Sequence, residues 1–278
     1  MLSLALTNFY AYSMEPTDDN PMSMQYPKKY EKFKWKVPYG TIKSEFNVSN
    51  ESITIITIKK TMKKIFWDDP YQTTLITTIQ TVDGNRILCA ETIAYSFAGG
   101  QESDTAWING MPILDSKIDG NLIYYTLSDN HGLKIGDTVT MTIDWHRRLR
   151  LMRLHFAAEL ILEIVTQKYH LEKVGAHIAE HKARIDFKSN TNISSLLPAI
   201  LTEYNEIITS DRIIEKGYSD IANQRRFWKI DGFAQVPCGG THVRSTREVG
   251  FVTLKREHPG KSIERIEIRL ISNDTLDT

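Results

Sequence analysis

The sequence predicts an α+β protein in which a small, glycine-rich β-barrel precedes an α+β domain built on one long helix. Two observations carry the prediction. Between Tyr71 and Ile143, short β-branched and aromatic runs alternate with turn residues at a regular pace. From Arg147 to about Lys168, the apolar residues Leu151, Leu154, Ala158, Leu162 and Val165 recur every three or four positions, the period of an amphipathic helix. With 278 residues the chain can bury more than one core. The expected divisions are an extension over 1–61, the barrel over 62–146 and the α+β domain over 147–278.

The extension carries Pro16, Pro21, Pro27 and Pro38, a lysine and aromatic cluster from Lys28 to Lys36, and one strand-like run, Ile53 to Ile58. A solvated charge run is the simpler reading of that cluster, ahead of a contact with RNA. Met62 followed by Lys-Lys-Ile-Phe-Trp-Asp-Asp-Pro has the look of a protein start, so the upstream segment is expected to be an accessory arm or an added extension. Barrel strands are expected at Thr73–Val82, Arg86–Tyr95, Trp107–Ile108, Leu122–Leu127 and Val139–Ile143. Turns fall at Asp83-Gly84-Asn85, Ala98-Gly-Gly-Gln101, Asn109-Gly110, Asp119-Gly120 and Gly136-Asp137. Asp144 stands where a helix N-cap belongs. After the long helix come a strand at Ala183–Phe187, a helix from about Ser194 to Thr209 with Pro198 in its first turn, and strands near Phe233–Val236, Val249–Lys255 and Arg265–Leu270.

Composition narrows the function classes. Hydrophobic residues at 41% and charged residues at 24% describe a globular chain. Thirty-four basic residues balance thirty-four acidic ones, so no global field draws the protein to polyanions, and any nucleic-acid contact must come from local patches. Two cysteines, Cys89 and Cys238, are too few for a disulfide framework and fit the cytoplasm. No secretory leader or membrane span is expected.

Two residue pairs point to chemistry. His155 and Glu159 lie four apart on the long helix, on one face, with Cβ atoms roughly 6 Å apart. Cys238 and His242 lie four apart in Pro-Cys-Gly-Gly-Thr-His-Val, where Gly239 and Gly240 permit a tight turn that folds both side chains toward one point. Imidazole, thiolate and carboxylate are zinc ligands, so convergence of these four would make a metal site, with four ligands or with three and an open position. A second pair, His177 and His181, lies in a stretch that reads as loop or strand start, where residues four apart do not share a face.

Several segments together resemble the free-standing alanyl-tRNA editing proteins, relatives of the editing domain of alanyl-tRNA synthetase and of the threonyl enzyme's N-terminal editing region. These are Phe66-Trp-Asp-Asp-Pro-Tyr71, Gly99-Gly-Gln101 with Ser103-Asp104-Thr105, Asp144-Trp-His-Arg-Arg148, Arg150 to His155, Ala183 to Phe187, Cys238-Gly-Gly-Thr-His-Val243 and Arg265-Ile266. The resemblance runs from about Met62 to Ile271. It implies one zinc ion per chain, tRNA as partner, and hydrolysis of serine or glycine wrongly esterified to alanine tRNA. The family's ligand pattern maps onto His155, Glu159, Cys238 and His242, with glutamate at 159 in place of the family's second histidine. An anionic ligand there lowers the charge of the centre and makes bound water a weaker acid. The resemblance also implies that Gln101 lies near water and substrate and that Thr92 reads the serine hydroxyl.

Thr241, beside His242, is placed to orient a ligand by hydrogen bonding. Arg147, Arg148, Arg150 and Arg153 precede the first ligand, Arg225 and Arg226 with Phe227 and Trp228 precede the second pair, and Arg244 and Arg247 follow it. Such basic and aromatic clusters suit phosphate and unpaired bases. Two other readings stand beside the deacylase: a non-catalytic tRNA-binding module whose metal centre has lapsed, and a deacylase for another mischarged tRNA. No ATP site is visible, and no protein partner follows from the sequence.

Overall fold

The computed structural model describes residues 41–48, 51–58, 61–260 and 262–271. The lysine and aromatic cluster at 28–36 lies outside them. Met1–Lys59 and Lys60–Thr278 form separate compact units. In the first, strands β1 (Thr41–Val48) and β2 (Glu51–Ile58) pair antiparallel, with Thr41 opposite Ile58 and Val48 opposite Glu51. The strand-like run at Ile53–Ile58 is thus half of a hairpin.

The second unit begins with β3 (Lys63–Lys64) and a single helical turn, α1 (Ile65–Asp68). A seven-stranded sheet follows, built from β4 (Thr74–Asp83), β5 (Arg86–Cys89), β7 (Ala106–Ile108), β8 (Met111–Pro112), β9 (Asp115–Asp119), β10 (Leu122–Thr126) and β11 (Thr138–Ile143). Its order is β8-β7-β11-β4-β5-β10-β9, antiparallel throughout. Strand β6 (Glu91–Thr92) pairs instead with β3, in parallel. Alternation along β4 buries Leu75, Thr77 and Ile79 and exposes Ile76 and Thr78, as a strand with one covered face requires. The inward residues form a core with Ile87, Leu88, Ile108, Ile123, Tyr125, Val139 and Met141, capped by Met62 and Phe66.

The sheet of the expected small barrel is a curled half-barrel. Its last strand on one side, β8, ends at Pro112, which has no N–H with which to extend a ladder. The chain itself passes from one edge to the other, with Ile113 N donating to Ala106 O of β7 (2.9 Å) on one side and Leu114 N to Thr126 O of β10 (2.8 Å) on the other.

A second core surrounds α2 (Trp145–Tyr169). Asp144 caps the helix, accepting from Arg147 N at 3.1 Å, and His170 ends it in the left-handed conformation. The expected amphipathic stripe is only part of the picture, because Leu151 through Ala158 are all buried and α2 is covered on every side there. Its neighbours are a four-stranded antiparallel sheet and a second long helix. The sheet is ordered β12-β13-β18-β17 and built from β12 (Glu172–Ile178), β13 (Ala183–Lys188), β17 (Val252–Gly260) and β18 (Ile263–Leu270). The helix is α3 (Leu197–Thr209), entered through a 3-10 turn at Ser194–Leu196. Between them run a three-stranded sheet, β14 (Glu215–Asp220), β15 (Arg225–Ile230) and β16 (Ala234–Pro237), and the short α4 (Thr246–Val249).

Candidate metal centre

Three segments far apart in the chain meet at one buried point. Midway along α2, His155 is 4% exposed. Cys238 follows β16, and its backbone N–H donates to Arg226 O at 2.9 Å, which fixes where the loop leaves the sheet. From that loop His242 Nε2 lies 3.3 Å from Cys238 Sγ, and His155 Nε2 approaches the same sulfur to 3.2 Å. Among the described residues, these three form a cluster whose ligand atoms all lie within 4.8 Å of one another.

Gly240 makes the approach possible. A Cβ there would stand 2.5 Å from His155 Nε2, closer than real Cβ contacts come, and a tight 3.1 Å from Gln101 Oε1. The third segment is the Gly99-Gly100-Gln101 turn of the first core. Gly100 has φ +89°, and a Cβ on it would meet Ala176 O at 2.7 Å. That closeness lets Gly100 O accept from Ile178 N (2.7 Å) and Ile178 O accept from Glu102 N (3.0 Å), stitching the turn to β12. Gln101, fully buried, then donates from Nε2 to Thr241 Oγ1 at 3.0 Å. Its Oε1 has no partner.

The electrostatics favour a cation. Burial lowers the pKa of His155 and His242, the latter helped by His155, Arg226 and Lys216, so both rings stay neutral with lone pairs available. Burial, with Glu159 adding to it, pushes the Cys238 thiol up to about 12. A divalent ion reverses that preference by stabilising the thiolate. Tetrahedral zinc with bonds of about 2.0–2.3 Å separates its donors by roughly 3.4–3.6 Å, close to the spacings seen here, and an N, N, S donor set suits it. The residues therefore fit the group. Glu159 stands just outside the cluster: its Oε1 is 4.0 Å from His155 Nε2, and its Oε2 accepts from Trp228 Nε1 at 3.0 Å.

Other predicted site residues divide sharply. Thr92 spends its hydroxyl within the first core, on Tyr125 Oη (2.5 Å) and Ala94 N (3.0 Å), with no bond to the cluster. Arg148 is fully buried, donating to Asp104, Pro70 O and Ile93 O. Arg153 is 4% exposed, with Nε on Val249 O. Arg147 and Arg150 pair with Glu180, and Arg147 also with Glu102. Arg247 lies 3.4 Å from Asp211, and Arg225 is exposed. His177 Nε2 lies 3.3 Å from Glu102 Oε1, and neither His177 nor His181 joins the cluster. Trp228, expected to offer a stacking face, is wholly buried because it shares the inward positions of β15 with Arg226 and Ile230.

A surface that the sequence reading passed over adjoins the cysteine loop. Trp67 donates from Nε1 to Gly239 O at 2.8 Å. Lys64 Nζ lies 4.2 Å from the Trp67 ring centroid, and the Arg226 guanidinium stacks between Trp67 (5.4 Å) and Tyr218 (5.3 Å). Arg244 covers Tyr71 at 4.0 Å. Among the described residues, Lys64, Lys216, Arg226 and Arg244 have no carboxylate at ion-pair distance, and the buried Arg226 Nε has no hydrogen-bond partner. The Phe66-Trp-Asp-Asp-Pro motif and the predicted Arg226 and Arg244 signal part of this surface, while Lys64 and Tyr218 come from unrelated strands.

Residues 226–267, which include the Cys238 loop, match the family described as the threonyl and alanyl tRNA synthetase second additional domain. Over more of its length the chain is similar to proteins named alanyl-tRNA editing protein AlaX-M. That from Pyrococcus horikoshii is 29% identical over 214 residues, covering 75% of this chain and 97% of the relative. The Saccharolobus solfataricus protein is 26% identical over 230 residues, covering 73% of this chain and 97% of the relative. An alanine–tRNA ligase from Methanococcus maripaludis is 26% identical over 259 residues, 82% of this chain, which spans only 29% of that enzyme. No helix among the described residues is long and apolar enough to cross a membrane.

Proposed function

We propose that this protein is a zinc-dependent deacylase acting in the cytoplasm on mischarged alanine tRNA, removing serine, and glycine with it, from the 3′ end in trans. The observation that carries this is the buried His155–Cys238–His242 cluster with Gln101 aimed into it from the other core. Support also comes from relatives named for alanyl-tRNA editing.

His155, Cys238, His242 and Glu159 would hold one zinc ion. That ion, when bound, supplies Lewis-acid polarisation of the ester and its attacking water. The protein's own groups do the rest. Thr241 fixes the amide of Gln101 so that Oε1 stays a buried acceptor beside His155. A seryl hydroxyl satisfies it. A buried acceptor left unpaired costs about 1–3 kcal/mol, so an alanyl ester lacking the hydroxyl is the poorer substrate; Gln101 selects serine alone, and removal of glycine rests on another feature of the pocket. We assign this reading of serine to Gln101 and not to Thr92, whose hydroxyl is committed to Tyr125. Lys64, Lys216 and Arg244, with Trp67 and Tyr71, would seat the phosphates and unpaired bases of the acceptor end, while the buried Arg226 holds Trp67 in place from beneath.

The test is hydrolysis of alanine tRNA charged with serine, glycine or alanine, and of serine tRNA charged with serine. Selective loss of the first two supports the proposal. Tight tRNA binding with no hydrolysis favours a binding module, and preference for a different mischarged tRNA reassigns the substrate.

A further inference from the structure

Glutamate at position 159 sets a problem of aim and of charge. A free carboxylate side chain samples many rotamers, and an added anion beside a thiolate weakens the electrophile the centre is built to hold. Trp228 addresses both. Its ring is 0% exposed, packed edge-on to Phe156 at 5.1 Å, while Phe156 in turn packs edge-on to His242 at 5.4 Å. An indole has one donor and no acceptor, and here that donor is spent on Glu159 Oε2 at 3.0 Å. The other oxygen, Oε1, is thereby left facing His155 Nε2.

We propose that Trp228 is a positioning residue that makes the carboxylate at 159 serviceable as the fourth donor. It holds Oε2, presents Oε1 to the cluster, and withdraws charge from the carboxylate so that the extra anion is partly offset. The inference rests on the metal reading above. Outer hydrogen bonds to a ligand are worth roughly 10- to 100-fold in metal affinity. Trp228 therefore matters to the metal only while residue 159 is a carboxylate.

The experiment is a double-mutant cycle on metal affinity. Zinc dissociation constants, by competition with a chromophoric chelator, and absorption spectra of the cobalt-substituted proteins are measured for wild type, Trp228→Phe, Glu159→His and the double variant. Phenylalanine keeps a ring against Phe156, and the Glu159→His background reveals any general cost of the change to folding. Expected are a loss of roughly 10- to 100-fold in Trp228→Phe with an altered cobalt spectrum, and less than about threefold on adding Trp228→Phe to Glu159→His. An equal loss in both backgrounds, or none in either, overturns the proposal. Failure of wild type and Glu159→His alike to bind metal overturns the metal reading itself and this inference with it.

Discussion

At the scale of single residues, the three residues that cluster, His155, Cys238 and His242, were legible because their types and spacing are unusual: a thiol and an imidazole across two glycines, and a second imidazole one turn from a carboxylate. What surrounds them was not. Trp228 and Arg226 sit among aromatic and basic neighbours that read as a surface patch, yet alternation along β15 turns both inward. Arg148 and Arg153 were assigned to RNA because four arginines crowd the start of α2. Their positions wrap around the helix, and the structure gives Arg148 and Arg153 backbone and carboxylate partners inside. Replacing Gln101 by Leu is expected to lower hydrolysis of seryl-tRNA relative to alanyl-tRNA by roughly 5- to 150-fold, the equivalent of 1–3 kcal/mol, as read from kcat/KM on the two esters. Lys64 offers a pH test. Desolvation lowers its pKa from 10.5 to about 8, so between those values the unfolded chain binds more protons and stability rises with pH. In Lys64→Met that rise should flatten, while affinity for tRNA at pH 7 falls. Unchanged slope in denaturation midpoints across pH 8 to 10.5 would mean that Lys64 is not desolvated in the folded protein, and unchanged affinity for tRNA would remove it from the contact surface.

At the scale of elements, periodicity found α2 and most half-barrel strands but could not show how completely they are covered. The hairpin of β14 and β15 escaped notice because Glu215-Lys-Gly-Tyr-Ser-Asp has no alternating apolar pattern and gains its strand form from pairing with Arg225–Ile230. That the sheet curls without closing was likewise invisible, since alternation marks strands and not which edges pair. The turn carrying Gln101 depends on two anchors. One is Gly100 against Ala176 O, where Ala meets both a clash and a left-handed backbone. Gly100→Ala is expected to cost more than about 1 kcal/mol in denaturant unfolding and to lower kcat with metal content unchanged. The second anchor is Asp104, three residues on, whose carboxylate pairs with Arg148 where both side chains are inaccessible. Breaking such a pair strands a buried charge, so Asp104→Asn should destabilise by about 3–5 kcal/mol.

At the scale of the molecule, the His155–Cys238–His242 cluster lies where the two cores meet within Lys60–Thr278. Its residues come from the second core and its loop, and Gln101 comes from the first. Neither core alone carries the whole arrangement, which is why the motifs are so widely spaced in sequence. Zero net charge, with a few unpaired cations on one surface, predicts shallow salt dependence of tRNA binding. Three phosphate contacts give a slope near −2 in log K against log salt, about −0.7 for each contact, and a much steeper slope would mean that other charges take part.

The most direct test is the zinc content of the purified protein alongside its hydrolysis of seryl-charged alanine tRNA, for wild type and Cys238→Ser. Near one zinc per chain in the wild type is expected, with both zinc and hydrolysis lost in the variant, the latter by about 10³-fold, as the loss of several kcal/mol of stabilisation implies. Full hydrolysis by protein free of metal, or by Cys238→Ser, would contradict the assignment of the buried cluster as the reactive centre.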